Sequence, residues 1–282
     1  MTLLFSVQSY IKFLWNSKNQ HGVHSPFVFD LVTKCFYDKS SKQEYMQLRN
    51  YRNELLQNKN SIEVTDFGAG SRVFKSNKRP ISKIAKTAGI SARRAELLFR
   101  ISQYFQPNSI LEIGTSLGLA TSALSMGHPN AKITTIEGCP ETARIAKENF
   151  QKFNLKNIQL EITKFNLYLN NPRPKTQDPE PTTYNLQHST HNLQPTTYNP
   201  QLVYFDGNHS KDATLQYFEL LLPTITNETV WIFDDIHWST EMTEAWKTIK
   251  KHPKVKVTID TFQWGFVFFR NEQEKEHFTI RL

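Results

Sequence analysis

Residues 109–118 read Ser-Ile-Leu-Glu-Ile-Gly-Thr-Ser-Leu-Gly, a short apolar run that ends in a turn bracketed by Gly114 and Gly118, and the helical pattern Leu119–Met126 follows at once. A strand that hands over to a helix so abruptly must bend its backbone sharply. Glycine permits that bend, because a Cβ would clash or forbid the dihedrals, and it also lets backbone approach a bound nucleotide closely.

The sequel constrains the chain further. Lys132-Ile-Thr-Thr-Ile-Glu137 reads as a second buried strand. Its terminal Glu137 lies about twenty residues beyond the glycines, where nucleoside-binding α/β folds place the acid that receives a ribose diol. Alternatively, Glu137 is only a solvated strand end. Pro140–Phe153 supplies the next helix, with Ala143, Ala146, Phe150 and Phe153 on one face and Pro140 suited to its first turn. Strand Ile158–Ile162, strand Leu202–Asp206, helix Lys211–Leu222 and strand Thr229–Asp235 continue the alternation. Short apolar runs bounded by turn residues suit strands buried between two helix layers. Acids close several of them: Glu112, Asp206, and the pair Asp234 and Asp235. Ligands of open α/β sheets bind beyond the carboxyl ends of the strands, so this clustering points to an enzyme.

On these motifs, residues 109–270 resemble a class I S-adenosylmethionine-dependent methyltransferase of the branch that includes small-molecule O-methyltransferases. The matching segments are Leu-Glu112-Ile-Gly114-Thr115-Ser116-Leu-Gly118 for the methionine end, Glu137-Gly138 for the ribose, Phe-Asp206-Gly-Asn-His209, and Phe-Asp234-Asp235-Ile-His237-Trp238. The resemblance implies a Rossmann-like, mostly parallel seven-stranded α/β sheet with helices on both faces and an antiparallel C-terminal hairpin. Val255–Ile259 and Gly265–Phe269, two strand-like runs joined by a short link, suit that hairpin. An NAD-dependent oxidoreductase would more often continue parallel and carry Gly-x-Gly-x-x-Gly, which is not found.

The resemblance also implies a site. Glu112, Gly114, Thr115, Ser116, Gly118, Glu137, Gly138 and Asp206 would hold S-adenosylmethionine. In metal-dependent relatives, the positions matching Asp206, Asp234 and Asp235 hold Mg²⁺, which takes hard carboxylate oxygens and lowers the pKa of the acceptor hydroxyl. Otherwise Asp206 touches only the cofactor, and Asp234 and Asp235 cap the following turn. Where that family places a lysine base, this chain has His209, which can take a proton near neutral pH or simply orient substrate. His237 and Trp238 fall where an acceptor pocket forms. After the third strand the family's acid or Asn is replaced by Thr163-Lys164-Phe165-Asn166, leaving Phe165 to cover the adenine ring.

Other motifs carry less. Asp66-Phe-Gly68-Ala-Gly70 fits a generic cofactor pattern, but no helix, strand and acid follow at the needed spacing, so it reads as a loop packed near the mouth of the site. His21 and His24 lack further metal ligands nearby and read as loop residues. Two cysteines, Cys35 and Cys139, are too few for a disulfide framework and suggest a reducing compartment.

With 282 residues and 38% hydrophobic content, the chain can bury one α/β core and an appendage. We expect a helical cap over 1–80, beginning with the amphipathic stretch Leu3–Trp15, and a methyltransferase domain over 81–282. No apolar run spans a bilayer and no signal peptide is evident, so the expected location is cytoplasmic. The net charge of +8 has an address: residues 72–100 hold nine Lys or Arg against Glu96 alone. Such a segment either draws an anionic small-molecule acceptor toward the site or is a solvated helix face. RNA binding or modification on a methyltransferase scaffold is the alternative, disfavoured because aromatics for base stacking are sparse there. Residues 181–201 comprise three seven-residue repeats such as Pro-Thr-Thr-Tyr-Asn-Leu-Gln, too polar and proline-rich to bury a core. The segment 171–200 therefore reads as a disordered insertion whose deletion leaves cofactor affinity intact.

Overall fold

The computed structural model describes residues 3–67, 74–170 and 199–282; Gly68, Gly70, Arg72 and residues 171–198 of the expected insertion lie outside them. Three helices open the chain: α1 (Leu3–Asn16), α2 (Pro26–Leu31) and α3 (Glu44–Gln57). Ser25 caps α2, its hydroxyl accepting from the Val28 amide, and a proline at the first position suits the start of a helix. A two-stranded antiparallel ladder follows, β1 (Ser61–Glu63) with β2 (Lys78–Pro80), and then α4 (Ile81–Thr87) and α5 (Ala92–Phe105). Ser91 caps α5, and Gln106 ends it in the left-handed conformation.

From there strands and helices alternate: β3 (Ser109–Ile113), α6 (Leu119–Gly127), β4 (Lys132–Glu137), α7 (Pro140–Lys152), β5 (Ile158–Ile162) and α8 (Phe165–Asn170). The second half contains β6 (Leu202–Phe205), α9 (Lys211–Leu221), β7 (Val230–Asp234), α10 (Thr240–Lys251), β8 (Val257–Asp260), β9 (Trp264–Phe268) and β10 (Glu276–Thr279). The strands form one sheet in the order β10-β8-β9-β7-β6-β3-β4-β5. Strands β3 to β7 run parallel, and β9 returns antiparallel between β7 and β8. Among the described residues the sheet thus has eight strands rather than the expected seven. The extra one, β10, pairs parallel with β8 along Glu-His-Phe-Thr, where only Phe278 is buried, so no apolar run announces it.

Alternation along the strands divides the core between the two faces. Ile110, Ile133, Tyr204, Ile232 and Phe266 pack with apolar side chains from α2 through α6. Leu111, Ile113, Val203, Phe205, Trp231 and Phe233 pack with Phe218 and Leu221 of α9 and with Trp246 and Ile249 of α10. Helices α2 and α3 therefore share one hydrophobic cluster with the sheet. Strand order reverses at β3, which lies between β4 and β6, and such a switch point opens a crevice at the carboxyl ends. Among the described residues, no helix is long and apolar enough to cross a membrane.

Candidate active site

Ile113 pairs with Phe205, so the two strands deliver Gly114 and Asp206 side by side at that crevice. Gly114 has φ +97°, and a Cβ on it would collide with the Asp206 carbonyl oxygen. Gly118, at φ +78°, is confined differently: a Cβ would stand 2.6 Å from the Tyr51 hydroxyl and 2.5 Å from the Phe150 ring. Tyr51 donates a 3.0 Å hydrogen bond to the Leu117 carbonyl, so α3 supports the glycine turn from behind.

The turn is tied to the next strand through Glu137. Its carboxylate accepts from the Ser116 amide at 2.7 Å and from the Cys139 amide at 2.9 Å. Burial pushes the Glu137 carboxyl above its usual range, although those two amides favour the anion. Glu112 faces the opposite way from Leu111 and Ile113 and is fully buried. One of its oxygens accepts from the hydroxyls of Thr121 and Thr135, the other has no partner among the described residues, and burial pushes its carboxyl up to about 7.

Beyond these strand ends lies a cavity of about 460 Å³, a size suited to a small ligand. Of the residues expected to bind cofactor, Gly114, Ser116, Glu137, Gly138, Phe165 and Asp206 line it. Glu112, Thr115 and Gly118 are not among its lining; Thr115 bonds Thr135 through their hydroxyls at 2.6 Å. Phe165 sits edge-on to Tyr217 with ring centres 4.5 Å apart, and both face the cavity.

Trp238 and His209 also line the cavity, with their rings 6.3 Å apart. Its neighbour His237 is not among the lining residues. Nε2 of His237 is 2.8 Å from Asp260 Oδ2, Nδ1 is 3.3 Å from the Thr243 hydroxyl, and the ring stacks on Phe262. Ser239 caps α10 as expected, its hydroxyl accepting from the Met242 amide.

The carboxylate cluster differs in membership from the expected one. Asp206, His209 and Asp234 bring ligand atoms within 4.8 Å of one another, and Asp235, at φ +53°, is not part of that group. His209 Nε2 is 3.7 Å from Asp206 Oδ1. Burial, then the neighbouring Asp234 and Asp235, push the Asp206 carboxyl well above the usual range. Asp234 accepts from Arg94 Nη1 at 3.1 Å.

Four residues at the site were not named as site residues from the sequence, although Phe67 lies in the loop expected near its mouth and Lys164 beside Phe165. Phe67, the second residue of the Asp66-Phe-Gly68-Ala-Gly70 motif, and Arg79 line the cavity, with Phe67 over Gly138 and Arg79 paired to Asp66 at 3.2 Å. The Thr65 amide donates to Cys139 Sγ at 3.3 Å, which fastens this loop beside Glu137. Lys164 lies over the Phe67 ring at 4.7 Å. Arg94 did leave a trace: it sits one turn before Leu98 and two before Ile101, on the apolar stripe of its helix.

A parallel sheet whose last strands fold back antiparallel, with a glycine turn and strand-end acids around one switch-point cavity, defines a Rossmann-like methyltransferase architecture. Residues 111–236 match the family model described as "Methyltransferase domain". The chain thus has the fold of the class I methyltransferases and, over residues 111–236, a segment that matches a methyltransferase domain. Similar solved structures include the O-methyltransferase TomG of Streptomyces achromogenes, involved in tomaymycin synthesis and bound to S-adenosylmethionine; it is 13% identical over 82% of this chain and 92% of its own, with TM-score 0.53. The O-methyltransferase of Bacillus cereus is 16% identical over 82% and 92%, with TM-score 0.50. The Podospora anserina methyltransferase PaMTH1 is 12% identical over 88% and 97%, with TM-score 0.55. These likenesses concern the fold. No curated protein matches the sequence.

Proposed function

We propose that the protein transfers a methyl group from S-adenosylmethionine to an oxygen of a small, anionic acceptor. One observation carries this reading: one cavity is lined both by Gly114, Ser116 and Glu137 and by Asp206, His209 and Trp238. The similar structures bound to S-adenosylmethionine or its demethylated product support the cofactor. A bound sulfonium supplies an electrophilic methyl, and in-line displacement requires the acceptor oxygen at about 3–3.5 Å from it. Glu137 accepts the ribose hydroxyls, its charge strengthening those bonds. Phe165 and Phe67 flank the adenine. His209, which lines the cavity, takes the acceptor's proton at Nε2. Trp238 stacks on the acceptor, while Arg79 and Lys164 in the cavity lining add positive charge that favours an anionic acceptor entering it. On this reading residues 1–80 act as a cap, because Val64–Phe67 and Arg79 wall the cavity.

The expected Mg²⁺ site fits that ion poorly. Asp235 stands outside the cluster, an imidazole takes its place, and Asp234 is already engaged by Arg94. Magnesium instead demands near-octahedral oxygen ligands, and imidazole suits softer metals.

Calorimetry with S-adenosylmethionine and with NAD tests the cofactor, and a labelled methyl donor incubated with fractionated metabolites tests the acceptor. We expect heat with the first compound alone and label in an anionic small molecule. Heat with NAD alone, or label entering only RNA, overturns the reading.

A further inference from the structure

Asp206 and Asp234 close two neighbouring parallel strands, so the sheet itself forces their carboxylates together. Like charges this close either hold protons or need a cation beside them. Arg94 occupies that position. Ser91 fixes the start of α5, and the Arg94 guanidinium reaches across to Asp234 at 3.1 Å. Burial opposes its charge, but Asp234, Tyr204, Asp235 and Asp206 more than offset that, so the whole strand-end group acts on this one cation.

We propose that Arg94 is the built-in cation of the carboxylate cluster, a positioning residue that fixes Asp234 and makes the site independent of any divalent metal. A metal among Asp206, His209 and Asp234 would lie on the order of 5 Å from the guanidinium, given ligand bonds near 2 Å, and would be repelled by it. It would also have to share the Asp234 carboxylate with Arg94. Arginine suits this role because it stays charged when half-buried and binds a carboxylate through a rigid fork of donors. With Asp234 occupied, His209 and Asp206 remain to face the acceptor, both lining the cavity where Asp234 does not. The activity arm rests on the methyltransferase reading; the metal arm does not.

The test is a Mn²⁺ titration of the full chain by calorimetry and electron paramagnetic resonance, comparing the native protein, Arg94→Lys and Arg94→Met. We expect no saturable binding below millimolar concentration for the first two. Arg94→Met should bind one Mn²⁺ at least about tenfold more tightly, a gain that Asp234→Asn removes when added to it. Methyl transfer by the native protein should be unaffected by a chelator. One Mn²⁺ bound to the native protein at micromolar concentration overturns the proposal, whether or not Arg94→Met folds. A folded Arg94→Met with no gain overturns it as well. Absence of heat with S-adenosylmethionine would instead refute the methyltransferase reading and leave the metal titration interpretable.

Discussion

Glu112→Gln should flatten the dependence of stability on pH. Glu112 is fully buried, one oxygen is without a partner among the described residues, and burial, opposed by the Thr121 and Thr135 hydroxyls, raises its pKa from 4.5 to about 7. Below pH 4.5 the side chain keeps its proton in folded and unfolded chains alike and favours neither. Between 4.5 and about 7 only the unfolded chain ionises, so folding must rebind a proton and stability falls as pH rises. Above about 7 the loss is complete. At about 1.4 kcal/mol per pH unit it amounts to about 3 kcal/mol. Glutamine can still accept from both threonines, while its unpartnered NH₂ group costs about 1–3 kcal/mol at every pH. The diagnostic quantity is thus the slope. Urea unfolding of both proteins from pH 4.5 to about pH 8 should show the variant gaining about 3 kcal/mol relative to the native chain across that interval. A difference that stays constant with pH would refute the assignment of a raised pKa to Glu112.

Three further outcomes follow from the site. Glu137→Ala removes the acceptor of the Ser116 and Cys139 amides and should weaken S-adenosylmethionine binding at least about tenfold by calorimetry. Gly118→Ala places a Cβ against Tyr51 and Phe150 at a positive φ and should cost about 2 kcal/mol in denaturant unfolding, whereas Tyr51→Phe, which loses only the bond to Leu117, should cost about 1 kcal/mol. His209→Ala should lower kcat about 100-fold while leaving cofactor affinity unchanged, and an unchanged kcat would remove it as the base.

The sheet was legible because strands buried on both faces leave continuous apolar runs, and the Gly114 turn and strand-end acids were legible because topology fixes where such strands end. Strand β10 was hidden since it sits at an edge with Phe278 as its only buried residue. Finer placement demanded more than spacing. His237 and Trp238 are neighbours, and nothing in their order says that Trp238 lines the cavity while Asp260 and Thr243 hold His237. Glu112 is the converse case: the two-residue period sets it on the face of Ile110, and that pattern was available in the sequence. Phe67, Arg79 and Arg94 come from the stretch before the sheet, so only tertiary packing brings them to the strand ends.

The basic segment shows how such packing redistributes a charge that composition assigns to the surface. Arg100 reaches inward to the carbonyls of Cys35 and Phe36, Arg94 to Asp234, and Arg79 to Asp66 at the cavity wall. Lys75, Lys78, Lys83, Lys86 and Arg93 stay exposed. A continuous basic face for nucleic acid would need the arginines on the outside, since phosphate binding is a sum over accessible cations. Here three arginines bind backbone or acids of the chain itself, two of them at the site. That division favours a short-range role in positioning the site and one small anion over a long-range role in holding a polyanion. Binding of RNA with a steep salt dependence would therefore argue against this distribution, whereas methylation of a small anionic acceptor with shallow salt dependence is its expected consequence.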